Sequence, residues 1–187
     1  MVYRNDQEDL ALIERAKEGD AEAFGKIYER YAGAIYRYFY ARLNDAQDAE
    51  DLLGDVFLST WRSLAEYRPV KEVPFRVFLF RIARNRLVDF YRKQSHRYND
   101  VIIDEDIHEI SDETTTTEDQ EKIAKVEMQD LMTELREDYR TVIELRFYGG
   151  LSPSETAQVM GKSEGAIRVL QHRALKAFHK LFVKVER

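Results

Sequence analysis

Between Arg76 and Lys93 the chain carries six basic side chains against the one carboxylate of Asp89. Plotted at the helical period, Arg81, Arg84, Asn85, Val88 and Arg92 fall on one side, at offsets of three and four. Guanidinium forks and carboxamides meet phosphate oxygens and base edges. Just upstream, Tyr67-Arg68-Pro69 lies in a loop closed by Pro74. An aromatic ring beside a basic helix suits single-stranded or locally opened nucleic acid, because the ring can stack on an unpaired base. The same charges would also suit the solvated face of an ordinary amphipathic helix.

A second set lies near the end of the chain, where Gly165, Arg168, Val169, His172 and Lys176 share one helical side. Arg168 and His172 are suited to base edges, Val169 to a thymine methyl and Lys176 to a phosphate. The stretch before them has explicit punctuation. Ser152-Pro153-Ser154-Glu155 is a capping box with proline at the first helical position, Gly161 ends the short helix it opens, and Ser163 caps the next. A short helix, a glycine turn and a longer basic helix predict a helix-turn-helix; a helical hairpin with no DNA role has the same outline.

Helices must position both sets. The periodicity predicts them over 8–18, 21–43 and 49–66, then a helix from Phe75 to Gln94 with Phe75, Phe78, Leu79, Ile82, Ala83 and Phe90 inward. In the third, Leu53, Val56, Phe57, Trp61 and Leu64 face the core, while Asp51, Asp55, Leu58 and Arg62 face outward. Its acidic start suits a helix N-terminus. Further on, 135–147 reads as one helix ended by Gly149-Gly150, and the last helix buries Ile167, Leu170, Ala174, Phe178 and Leu181. The expected fold is all-α, with two small units: a four-helix N-terminal domain over 1–95 and a helix-turn-helix domain over 127–187.

Composition supports this division. The net charge of −6 looks wrong for a nucleic-acid binder, but 97–121 alone holds ten acids and one arginine, which leaves +3 for the rest. Residues 96–126 are therefore expected to form a flexible acidic linker between two basic units. There are no cysteines, and His96, His108, His172 and His179 have no ligand spacing, so neither a metal site nor a cofactor is expected. The absence of a long apolar run predicts a soluble protein without signal peptide or membrane insertion. No phosphate-cradling glycine loop or nucleophile–base pair suggests an enzyme.

Read together, LIERAKEGDAEAFGKIYERY, DAEDLLGDVFLSTWRSL, FRVFLFRIARNRLVDFYRK and LREDYRTVIELRFYGGLSPSETAQVMGKSEGAIRVLQHRALKAF resemble an extracytoplasmic-function sigma factor, a promoter-recognition subunit of bacterial RNA polymerase. The resemblance implies a cytoplasmic protein whose partners are core RNA polymerase, promoter DNA and an anti-sigma factor. It implies that Asp51, Gly54 and Asp55 dock on the β′ clamp helices. It assigns the −10 element to Tyr67, Arg68, Arg81, Arg84, Asn85 and Arg92, with a flipped base taken by the Tyr67–Pro74 loop. The −35 element falls to Arg168, Val169, His172, Arg173 and Lys176. Capture of an unstacked base would favour the melted state by differential binding, with no need of ATP. Five positions depart from the family pattern: Gly54 where a polar residue is common, Phe78 where Trp is, Thr156 where an aliphatic is, and Leu170-Gln171 where Arg-Leu is. The alternative reading is a helix-turn-helix regulator whose N-terminal domain is a protein-interaction module.

Overall fold

The computed structural model describes residues 6–70, 73–100, 128 and 130–185, and every named element among them is helical. Helix α1 (Asp6–Lys17) ends at Gly19, whose φ of +92° reverses the chain with no Cβ penalty. Asp20 then caps α2 (Ala21–Leu43) by accepting from the Ala23 N–H at 3.0 Å. That bond and the Arg15 guanidinium hold its carboxyl below the usual range. Asn44 closes α2 in the left-handed region, and Asp45 caps α3 (Ala46–Ser63) by accepting from Asp48 N–H at 2.8 Å. A 3-10 turn (Leu64–Glu66) leads to the Tyr67 loop and then to α4 (Phe75–Asp100).

These helices enclose Ile13, Ile27, Ile35, Tyr38, Phe39, Leu79 and Phe80, each with under 2% of its surface exposed. Each such side chain contributes about 1.5–3 kcal/mol by leaving water. Asp9 is buried as well, held by Arg30 and the Tyr31 hydroxyl, which pins α1 to α2.

The second unit starts with a short helical stretch over 130–133 and continues as α5 (Glu137–Ile143), α6 (Pro153–Met160) and α7 (Glu164–Val185) around Met132, Val142, Ile143, Ala157, Ile167 and Ala174. The single helix expected over 135–147 is instead α5 followed by a π-helical turn from Glu144 to Tyr148, closed by the Gly149 N–H on the Glu144 carbonyl at 2.9 Å.

Three sequence expectations need correction. Trp61 does not face the core: it is 41% exposed, edge-on to Phe24 at 4.8 Å, and Thr60 takes the inward position with its hydroxyl bonded to the Val56 carbonyl. Helix α4 runs past Gln94 to Asp100, since neither glycine nor proline interrupts 75–100. Finally, the two units do not stand apart. Leu145, Leu151 and Val159 are buried in the core of the first unit, so its inward surface is wider than the periodicity of α4 alone suggests. Arg76 and Val77 are buried beside Phe75 for the same reason. The expected acidic connector lies outside the described residues apart from its first positions, which belong to α4.

Candidate nucleic-acid and polymerase interfaces

The Tyr67 loop is held open by local bonds. The Tyr67 N–H closes the 3-10 turn on the Leu64 carbonyl at 3.1 Å, and Arg68 donates to the carbonyls of Ala65 and Tyr67 at 3.0 and 3.2 Å. Val73 N–H reaches the Val70 carbonyl at 3.0 Å, which narrows the tip and leaves Val70 61% exposed. The Tyr67 ring is half-buried, 5.2 Å from Phe75 and 4.9 Å from Phe78, with the Lys17 ammonium 5.9 Å from its centroid. Phe78, in the place of the family's Trp, thus serves as the floor under that ring.

The loop leads directly into α4, where Arg84, Asn85, Val88 and Arg92 are exposed on one side. Arg92 pairs with Asp89 at 3.1 Å. The basic count of this helix overstates its open charge. Arg86 donates to the Ser59 hydroxyl and ties α4 to α3. Arg76 is 3% exposed and donates to the carbonyls of Gly149 and Gly150 at 3.0 and 3.3 Å, with Glu155 at 3.5 Å. Arg81, expected on the free strip, donates from Nε and Nη2 to the Gln158 carbonyl at 3.2 and 2.9 Å.

On α3, Asp51, Gly54 and Asp55 are exposed and share a face with Leu58, which is 55% exposed. A side chain at Gly54 would meet nothing within 4 Å, so glycine is not demanded by the chain itself. Asp48 stands beside Asp45 and Asp51; partial burial and these like charges raise its pKa.

The helix-turn-helix forms as its punctuation predicts. Ser152 Oγ accepts from Glu155 N–H at 3.1 Å, and Glu155 accepts from Ser152 N–H at 2.7 Å. Gly161, with φ +65°, closes α6 on the Ala157 carbonyl, and Ser163 Oγ caps α7 at Ala166 N–H, 3.2 Å away. Arg168, Val169, His172, Arg173 and Lys176 are all exposed on α7. Arg168 is held along the helix by Glu164 at 2.6 Å. Two departures from the family pattern have local causes. The buried Thr156 bonds the Ser152 carbonyl through its hydroxyl at 2.8 Å, and Gln171 accepts from Arg146 Nε at 2.8 Å.

One cluster was not anticipated. Arg42 of α2 reaches Glu144 at 3.2 Å and Glu137 at 2.5 Å, while Arg140 bonds Glu144 at 2.9 Å and the Arg42 carbonyl at 2.9 Å. Burial pushes the Glu144 carboxyl up to about 7, against the pull of Arg42 and Arg140. The sequence does carry a signal of this: Glu144 in VIEL and Arg76 in FRVF are charges inside apolar runs.

Similarity to known proteins follows the same division. Residues 27–97 match the family model for Sigma-70 region 2, and 125–178 match that for Sigma-70 region 4. The chain is 34% identical over 174 residues to the ECF RNA polymerase sigma factor BldN of Streptomyces coelicolor, which covers 92% of this chain and 65% of that protein. It is 32% identical over 179 residues to ECF RNA polymerase sigma factor ShbA of Streptomyces griseus, covering 91% of this chain and 93% of that one. The structure of CnrH in complex with the cytosolic domain of CnrY matches with a TM-score of 0.69 at 26% identity, over 95% of this chain and 99% of that one. RpoE from Bartonella quintana, solved with the anti-sigma factor NepR, shares the fold with a TM-score of 0.63 at 22% identity, over 88% of this chain and 98% of that one. The region 2 match covers the very unit that the alternative reading made a mere interaction module. With a Sigma-70 family model matching each unit and a 32% identical relative covered over 93% of its length, the chain belongs to the ECF sigma factors, the promoter-specificity subunits of RNA polymerase.

Proposed function

We propose that this sigma factor divides promoter recognition between the two exposed faces described above. Tyr67 and Arg68 take an unpaired base of the −10 element. Arg84, Asn85 and Arg92 hold the strand behind it, and Arg81 joins them once released from Gln158. Arg168, Val169, His172, Arg173 and Lys176 read the −35 element in the major groove. Asp51, Gly54 and Asp55, beside the exposed Leu58, meet the β′ clamp helices of core polymerase.

The observation that carries this reading is the floor under Tyr67. Phe75 and Phe78 fix the ring at the start of the basic helix, so an unstacked base held there leaves its phosphates facing the α4 strip. Differential binding to separated strands supplies the bias toward melting, and the chain needs no catalytic step of its own. The domain limits are 1–95 and 127–187, joined by 96–126. As a polymerase subunit the protein works in the bacterial cytoplasm, and among the described residues no helix is long and apolar enough to cross a membrane. The relatives CnrH and RpoE were solved with CnrY and with the anti-sigma factor NepR, which supports an anti-sigma factor as a partner here too.

Transcription in vitro with bacterial core polymerase and mapping of start sites tests the reading. New, promoter-specific starts that depend on this chain are expected; a core enzyme that starts nowhere new rejects it.

A further inference from the structure

Stacking on Tyr67 would hold an unpaired base without identifying it, because every base has a π-face. Discrimination needs a polar group at the edge of the captured base. Arg68, the next residue, spends Nη1 on the carbonyls of Ala65 and Tyr67. The Lys17 ammonium, 5.9 Å from the Tyr67 centroid, comes from α1, ahead of the stretch over 27–97 that matches Sigma-70 region 2. We propose that Lys17 is a specificity-determining residue of strand capture. It donates to a carbonyl oxygen of the base stacked on Tyr67, so that cytosine, thymine or guanine is accepted there and adenine is disfavoured.

Helix α1 is fixed against the same aromatic floor. Asp9 is buried and held by Arg30 and the Tyr31 hydroxyl, and the Tyr31 ring meets Phe75 at 6.2 Å. Phe75 in turn supports Tyr67 at 5.2 Å. Arg15 is bound to Asp20 at 2.9 and 2.6 Å, so Lys17 is the cation that α1 directs at the loop. The Lys17 side chain is 15% exposed, which orders its stem before DNA arrives and lowers the entropic cost of using it. Its partner Glu14, at 2.8 Å, is 63% exposed; such a surface pair is weakly held and takes one of the ammonium hydrogens.

The ammonium lies in the layer a captured base would enter. Stacked rings have centroids about 4.5–7 Å apart, and Lys17 Nζ stands over Tyr67 within that range. An arriving base displaces the ammonium sideways, and the flexible aliphatic stem keeps it at the rim, beside the base edge. Cytosine, thymine and guanine each offer a carbonyl oxygen there. Adenine has none and presents an amine, which meets the ammonium donor to donor. Lys17 has this role only if Tyr67 captures a base, as proposed above, and the experiment separates the two.

Holoenzyme assembled from bacterial core polymerase and the full chain is offered promoter fragments unpaired over the −10 element. Each position of the exposed strand is changed in turn to the four bases or to an abasic site, and binding is measured. In the wild type one position should lose about tenfold on abasic substitution and about as much with adenine. Lys17→Met keeps an apolar stem; it should bring adenine within about twofold of the other bases at that position, with an abasic penalty remaining. Lys17→Arg should retain the preference, and Tyr67→Ala should remove the abasic penalty itself. A wild type indifferent to adenine, or an unchanged base profile in Lys17→Met, overturns the assignment. So does a uniform loss over all four bases with a shallower salt dependence, the mark of a phosphate contact. If the abasic penalty survives Tyr67→Ala, base capture by that ring is what has failed, and the role of Lys17 falls with it.

Discussion

Arg42 and Glu144 are 102 positions apart in the chain, yet their side chains meet at 3.2 Å with 8% and 1% of their surfaces exposed. Arg140 approaches the same carboxylate from one turn earlier in its own unit. The pair therefore joins the two units at a charge that neither unit would bury alone. Removing one partner of such a pair leaves the other uncompensated, which is costlier than never having had it.

This arrangement makes the stability of the fold sensitive to pH. Glu144 is faced by Arg42 and Tyr38 of α2, by Arg140 and Glu137 of α5, and more distantly by Tyr91 of α4, which lies over Arg42. Its carboxyl is pushed from the ordinary 4.5 up to about 7 by burial. Between those values the folded chain holds a proton that the unfolded chain does not, so this carboxyl contributes more stability as pH falls from about 7 to about 4.5. Glu137 is lowered instead, net of partial burial, by its bonds to Arg42 and Thr141, so its contribution is lost only as pH falls below the ordinary carboxylate range. The contribution of this site should thus be greatest near pH 5. Chemical-denaturation midpoints across pH 5–8 should show it as a steeper loss with rising pH in the wild type than in Glu144→Gln, and parallel profiles would reject it.

Gly149 tests the same contact sterically. Its φ of −75° suits any residue, so a substitution there is not strained by the backbone. A Cβ would nevertheless lie 2.7 Å from the buried Phe80 ring and 2.9 Å from the Leu145 carbonyl. Gly149→Ala should cost about 1–3 kcal/mol in chemical denaturation, as overpacking does. An unchanged midpoint would mean that Phe80 does not hold this position in solution.

What the sequence shows and what it hides differ by a physical rule. The faces of α7 and the capping box at Ser152 and Glu155 are local: a helix of period 3.6 and a serine three residues before a glutamate need only their own neighbours. The contacts of Arg81 and Trp61 are not legible in this way, because their surroundings come from elsewhere in the chain. Arg81 lies on the exposed side of α4 and still meets a carbonyl of α6, 77 positions away. Thr60 rather than Trp61 turns inward because a hydroxyl can return to the carbonyl four residues back. Periodicity finds a stripe, and tertiary packing decides how wide it is.

Tyr67 should divide two steps of initiation. The ring already rests on Phe75 and Phe78, so its removal takes away a stacking surface that exists before DNA arrives. Base–aromatic stacking is worth about 1–3 kcal/mol, so Tyr67→Ala should lower open-complex formation roughly tenfold or more. Binding to duplex promoter in the closed complex should change little, and Tyr67→Phe should retain most activity. Permanganate footprinting of melted thymines measures the first, and band-shift assays on ice the second. Equal losses in both would assign Tyr67 to the packing of its loop alone.

Arg168 carries the corresponding test for duplex readout. Its guanidinium is exposed on α7 and held in line by Glu164 at 2.6 Å, an orientation that costs little to give up. A bidentate contact to a guanine edge would contribute about 1–3 kcal/mol at one base pair and nothing at others. Arg168→Ala should therefore relax preference at a single −35 position while binding to unrelated duplex stays the same. A uniform loss across all sequences, with a shallower salt dependence, would instead make Arg168 a phosphate contact. Glu164→Gln separates orientation from contact: it frees the guanidinium without removing it, and should reduce discrimination at the same position by less than the alanine does.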